Sequence, residues 1–303
     1  MRRFHRLAAA LFTILVLVLV FRDSDRISTT SKSTISAAPT DLRQKSEHDG
    51  EVESSVTSSP VVPITTSTPA AEKAIVMGKL SNEDTSWVHE ELPDWETHIY
   101  MVDNQSASLH TAANKGREAM PYLTFIVDHY RNLPKTIAFL HNHRGGFPEA
   151  WHNDAPDYLA KNMLDRLKID YVQESGYVNL RCIHIPGCPD EVQMFRNPPE
   201  GHRTVEHNML GPWQLFFSNT EPPPVIAAPC CAQFAVSRNQ VLKRPLDDYE
   251  MYRKWLLETQ LDDDTSGRVF EYLWHVIFGK EPVFCPDIEE CWCKVFDRCD
   301  EVA

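Results

Sequence analysis

Apolar positions along this 303-residue chain change character twice. Residues 7–21 are apolar throughout except for Thr13, residues 22–72 show no periodic apolar face, and from residue 73 short apolar runs alternate with longer segments of helical spacing. Residues 74–77, 98–102 and 136–140 are compact apolar runs bounded by polar residues or proline, as expected of buried strands. Between the second and third of them, Met120, Leu123, Val127 and Tyr130 recur three to four residues apart. Asn114 is a candidate N-cap for that helix, and Asn132-Leu133-Pro134 ends it. Strand, helix and strand in one unit favour a parallel sheet with a right-handed crossover, and therefore an α/β fold. Downstream, the pattern predicts helix over 158–167, strand over 233–237, and helix over 238–242 and 249–261. A last helix carries Val269, Phe270, Leu273, Trp274, Ile277 and Phe278 on one broad face and is stopped by Gly279. The proline-rich stretch 182–224 reads as loops, either a substrate-facing insertion or an irregular surface.

The N-terminal run organises the rest of the chain. Fifteen residues are short for a full span, which leaves a cleaved signal peptide or a signal anchor. Arg22, Asp23, Ser24, Asp25 and Arg26 follow it with no small-x-small cleavage site, so retention as an anchor is expected. Arg2, Arg3 and Arg6 place the N-terminus in the cytoplasm. The expected organisation is a cytoplasmic tail (1–6), a transmembrane anchor (7–21), a Ser/Thr/Pro stem suited to O-glycans (22–72), and a lumenal globular domain (73–303). The formal net charge of −13 argues against a nucleic-acid partner. All eight cysteines lie between Cys182 and Cys299. In an oxidising lumen they imply disulfides, with one pair closing the Cys182–Cys188 loop and others tying the C-terminal tail to the domain. A zinc site is the weaker alternative, because no pair of CxxC elements occurs. Asn104-Gln105-Ser106 is a sequon in a polar turn.

Several groups of residues could carry chemistry. Asn114-Lys115-Gly116-Arg117-Glu118 opens the first domain helix, where free amides, two cations and a glycine would suit a phosphate or diphosphate; an ordinary capped helix start is the competing reading. His141-Asn142-His143 follows the third strand, with Trp151-His152-Asn153-Asp154 close behind. Ligands collect at the carboxyl ends of strands in open α/β sheets, so His141, His143, His152 and Asp154 are candidates for a divalent metal or a sugar hydroxyl, and Trp151 for stacking. Loop histidines bonded to backbone would look the same. Asp262-Asp263-Asp264 matches an Asp-x-Asp manganese pattern but lies between helices, and is read as a solvated turn and N-cap. Glu271 and His275, four apart, are expected as a pair at a cleft edge or facing outward, with Glu271 a candidate general base. No P-loop, Gly-x-Ser-x-Gly, His-Glu-x-x-His or Rossmann glycine fingerprint occurs.

Asn114 to Glu118 with Tyr122 and His129-Tyr130, Asn132-Leu133-Pro134, and Phe139-Leu140-His141 together resemble the domain-of-unknown-function 3431 family. Gly176-Tyr177-Val178-Asn179-Leu180-Arg181-Cys182 resembles its fungal members, as do Gln233-Phe234-Ala235-Val236-Ser237-Arg238 and the helix Glu271-Tyr272-Leu273-Trp274 with Ile277-Phe278-Gly279. That family is distantly similar to GT-A type glycosyltransferases. The resemblance implies a single GT-A-like domain with a mainly parallel sheet flanked by helices. It implies a nucleotide-sugar donor, a glycan or glycoprotein acceptor, and residence in the Golgi or endoplasmic reticulum membrane. In that reading Lys115, Gly116 and Arg117 hold the diphosphate with Arg181 and Arg238 in reserve. His141 or His143 binds a divalent cation, manganese or magnesium, and Glu271 or Asp154 deprotonates the acceptor. The strand ending at Leu140 lacks the Asp-x-Asp of a standard GT-A enzyme, which motivates the rival expectation of an inactive lumenal carbohydrate-binding or scaffold protein. A metal hydrolase using His141, His143 and His152 is a third.

Overall fold

The computed structural model describes residues 70–301. The expected tail and anchor (1–21) and all but the last residues of the stem lie outside them. No helix among the described residues is long and apolar enough to cross a membrane.

Five strands form one sheet in the order β2-β1-β3-β5-β4: β1 Lys73–Lys79, β2 Glu96–Met101, β3 Thr136–Phe139, β4 Tyr177–Asn179 and β5 Phe234–Ser237. The expected mainly parallel sheet is in fact mixed. β2, β1 and β3 pair in parallel, whereas β5 runs against both β3 and β4. β5 fills the gap between β3 and β4 by antiparallel pairing, which the period of its side chains does not reveal.

The apolar run in β1 is continuous because both faces of the sheet are covered. Val76, Ile137, Phe139, Tyr177, Phe234 and Val236 face one core. Ile75, Met77, Ala138, Leu140, Val178 and Ala235 face the other. Against the first pack α2 Ala119–His129, α5 Thr204–Phe216, α7 Leu246–Glu258, α8 Asp263–Glu271 and α9 Trp274–Ile277. Against the second pack α1 Ser86–Glu91, α3 Ala160–Asp165, α4 Ile169–Ser175 and α10 Ile288–Phe296. A short α6 Arg238–Val241 follows β5.

Element boundaries moved where local geometry forbids helix. Tyr158, at φ +58°, cannot begin α3, and Gly116 and Arg117, at φ +64° and +53°, cannot lie inside α2. Asn114 is therefore not the N-cap; α2 begins at Ala119 after Glu118. The last predicted helix is two, α8 and α9, separated by a tightened turn in which the Tyr272 amide bonds to Arg268 and Phe270 carbonyls. Gly279, at φ +76°, follows α9 as expected. The 182–224 stretch contains α5 with Pro212 inside it, although Val205, Met209, Trp213 and Phe216 make a buried helical face.

Cysteine pairing departs from the simplest expectation. Cys182 does not pair with Cys188; the disulfides are Cys182–Cys291, Cys188–Cys285, Cys293–Cys299 and Cys230–Cys231. The first two tie the C-terminal tail to the loop after β4. The vicinal pair lies just before β5.

Candidate functional site

The strand order makes one position special. β1 leads to β2 on one side, and β3 returns to the other side of β1, so the chain switches direction between β1 and β3. Crevices at the carboxyl ends of strands beside such a switch are the usual ligand sites of open α/β sheets. Here a groove of about 400 Å³ is lined by Gly78 and Lys79 at the end of β1, Val102 after β2, and His141 and His143 after β3. It adjoins a second cavity of about 460 Å³ that reaches Trp151, His152, Cys230, Cys231, Arg268 and Glu271. Both are lined by Arg117, Glu118, His141 and His143.

Backbone and buried amides set these side chains in place. The His141 amide donates to Oε1 of buried Gln233 (3.0 Å), whose Nε2 donates to Asn153 Oδ1 (3.0 Å), so one glutamine ties the two histidine-bearing loops together. His141, His143 and His152 then cluster, with ring centroids 4.5 Å (141–152), 5.5 Å (143–152) and 6.2 Å (141–143) apart. Glu118 Oε2 approaches His141 Nε2 at 4.0 Å. Burial and the neighbouring Glu271 carboxylate push the Glu118 carboxyl up to about 8. Burial also raises Glu271, opposed by the Cys231 amide that donates to its Oε1 (2.6 Å) and by Arg268 and Arg117. Desolvation holds His152 down at about 4 and His141 well below its ordinary value, so both rings are neutral at pH 7. The cavity therefore joins two carboxyl groups of raised pKa, neutral imidazoles and the cations Arg117 and Arg268.

The residues singled out from sequence divide accordingly. Arg117, His141, His143 and Glu271 line the cavity, as do His152 and Trp151. Lys115 does not: it donates to the Leu261 carbonyl and pairs with Asp263 (3.7 Å). The Gly116 amide donates to Asp263 Oδ1 (3.3 Å), and Arg117 pairs with Asp264. Of the three aspartates, Asp262 caps α8 by accepting from the Thr265 amide (2.7 Å), as the turn reading expected, and the other two brace the 115–117 turn. Asp154 does not line either cavity. It accepts from the Cys182 and Ile183 amides and from the Trp292 indole, and lies 3.6 Å from Arg181. Arg181, 3% exposed, donates to the Trp151 and Ile185 carbonyls and backs the Trp151 ring at 4.8 Å. Arg238 sits at the opposite rim, its amide bonded to the Lys135 carbonyl before β3. Glu271 and His275 are not a pair: buried His275 bonds the Pro282 carbonyl (3.0 Å).

Among the cavity residues, Glu118 and Arg268 stand out as ones that spacing alone gave no role. Glu118 was quoted only within a motif, and burial beside His141, invisible in sequence, is what distinguishes it. Arg268 faces the cavity from α8 one turn before Glu271, a spacing the helical pattern could have supplied.

Metal donors can be judged by convergence. Among the described residues, the set whose donor atoms converge within 4.8 Å is Cys230, Cys231 and Glu271, and its two sulfurs are bonded to each other. The histidine nitrogens form no such three-ligand set with a carboxylate.

No curated protein and no solved structure matches the chain. A family profile described as "Protein of unknown function (DUF3431)" does match, over residues 75–294, covering nearly all of the sheet, both cavities and the two disulfides that tie the tail to the loop after β4. With most of its length covered by that profile, the chain belongs to the DUF3431 family.

Proposed function

We propose that the adjoining cavities form the active site of a GT-A-like glycosyltransferase that moves a sugar from a nucleotide-sugar donor to a glycan or glycoprotein acceptor. The observation that carries this reading is the junction at Arg117, Glu118, His141 and His143, where two compartments meet at the carboxyl ends of β1, β2 and β3. A two-substrate transfer needs a seat for each substrate and a shared point where bonds exchange. The groove at the strand switch suits the nucleotide. The larger cavity, with Trp151 offering an apolar face, suits the acceptor. Arg117 and Arg268 lie where charge grows on a departing diphosphate. Glu118 or Glu271, with carboxyls shifted toward neutral pH, would take the acceptor proton. No step is assigned to manganese or magnesium, since both favour oxygen ligands and the Asp262–Asp264 carboxylates are committed elsewhere. Four disulfides among the described residues support an oxidising lumen and, with residues 7–21, a type II protein of the Golgi or endoplasmic reticulum membrane.

A thermal-shift panel of nucleotide-diphosphate sugars tests this. One donor should raise the melting temperature of the wild type by several degrees and leave Arg268→Ala unmoved, because exposed Arg268 lines the cavity and makes no hydrogen bond or ion pair among the described residues. If no donor moves the wild type, the transferase reading is lost. One observation favours the rival, an inactive carbohydrate-binding protein: the Gly116 amide and Lys115 are already occupied by Asp263 and Leu261. Stabilisation by free glycans with no response to any nucleotide sugar would select it.

A further inference from the structure

The Cys230–Cys231 disulfide forms part of the wall of the larger cavity, and the transfer chemistry proposed above gives it no task. Its backbone is unusual. Cys231 and Ala232 both occupy the left-handed region, at φ +85° and +49°, where consecutive L-residues rarely settle unless their surroundings impose it. The surroundings do so. The Cys230 amide donates to the Pro186 carbonyl (3.1 Å), and the Cys188–Cys285 disulfide holds the Pro186 loop in turn. The Cys231 amide donates to Glu271 Oε1 (2.6 Å). Those constraints bring the two sulfurs and a Glu271 carboxylate oxygen within 4.8 Å of one another.

A disulfide sulfur is not a metal ligand, but two thiolates and a carboxylate are a ligand set for a zinc-class cation. We infer that Cys230–Cys231 is a reducible latch over such a site, opened by a small dithiol that enters through the cavity. One sulfur of the dithiol attacks the bond and forms a mixed disulfide, and its second sulfur then displaces the cysteine. The S–S bond breaks, the dithiol leaves as its cyclic disulfide, and its two electrons and two protons remain on Cys230 and Cys231 as thiols. Those protons depart to solvent when the cation binds. Tetrahedral zinc holds thiolates at about 2.3 Å and so about 3.8 Å from each other, a separation that neighbouring side chains reach by rotation about χ1. Glu271 Oε1 keeps its amide bond while the other oxygen turns to the metal. The fourth position opens on the cavity. In the oxidised protein Glu271 is free for proton transfer, and in the reduced, metal-bound protein it is withdrawn from it.

The test uses the full chain in detergent, with zinc itself as the probe. Oxidised and dithiol-reduced samples are desalted after zinc exposure, and bound metal is counted by elemental mass spectrometry. Alkylation mapping identifies which cysteines are open. Reduced wild type should hold one more zinc per chain than the equally reduced Cys230→Ala/Cys231→Ala protein, and Glu271→Gln should bind that zinc at least ten-fold more weakly. The double variant controls for the six other cysteines. Equal zinc in reduced wild type and double variant overturns the inference, as does zinc uptake while Cys230 and Cys231 remain bonded. Metal counting needs no transfer activity, so this result stands or falls apart from the glycosyltransferase reading.

Discussion

Gly116 shows how one residue can be required for a reason other than the one its motif suggests. The sequence places it at a helix opening, where close backbone approach would serve a phosphate. In the fold its φ is +64°, and a Cβ there would sit 2.4 Å from Leu256 Cδ1 on α7. The glycine is needed for packing of the 114–118 turn against a helix far away in sequence. Gly116→Ala should cost about 3 kcal/mol, summing left-handed strain and overpacking, in chemical denaturation. A loss below about 0.5 kcal/mol would show that the turn can relax. Glu271, His141 and His143 were legible as candidates because strand ends and helix faces can be read from spacing. Glu118 was not, since its raised pKa comes from burial and from Glu271, which is remote in sequence.

At the scale of elements, the Asp262-Asp263-Asp264 run separates local from tertiary meaning. Its capping role was readable because a cap is a local hydrogen bond, from the Thr265 amide to Asp262. Its second role was not readable: Asp263 and Asp264 brace Gly116 and Arg117 across the chain. Asp262→Ala should lower stability measurably as a lost cap. Asp264→Ala, which breaks an exposed ion pair, should change it by less than about 0.5 kcal/mol. Urea denaturation of the two variants checks the order, and a larger loss for Asp264→Ala would mean that the brace carries more than the cap. α5 escaped detection because Gly211-Pro212 interrupts a face that only tertiary burial of Met209, Trp213 and Phe216 makes coherent.

For the whole molecule, buried titratable groups set the dependence of stability on pH. His152 and His275 are 4% and 1% exposed and titrate at about 4 in the fold against an ordinary 6.5. Below 6.5 the unfolded chain takes protons that the native state refuses, so stability falls as pH drops toward 4, by up to about 3 kcal/mol per histidine. Glu118 acts in the opposite sense: from 4.5 to about 8 the native state holds a proton the unfolded chain has lost, so stability falls as pH rises. Between 4.5 and 6.5 these histidines, with buried His141 depressed in the same sense, outweigh the raised carboxyls of Glu118 and Glu271, and above 6.5 the raised carboxyls act without them. Melting temperature should therefore peak near pH 6.5. Glu118→Gln should flatten the alkaline side and steepen the limb between 4.5 and 6.5, and an unchanged alkaline slope would show that Glu118 titrates normally.

What the sequence determined by itself was everything set by neighbours along the chain: the apolar strand runs, the helix spacing, the capping aspartate and the family motifs. The tertiary structure alone decided that β5 runs antiparallel, that Cys182 pairs with Cys291, that Asp154 and Arg181 lie beside each other outside the cavity lining, and that Arg117, Glu118 and Glu271 share a cavity. Periodicity reports which face of an element is apolar but not which partner covers it. Desolvation and charge pairing, which assign chemistry to a side chain, depend on that partner.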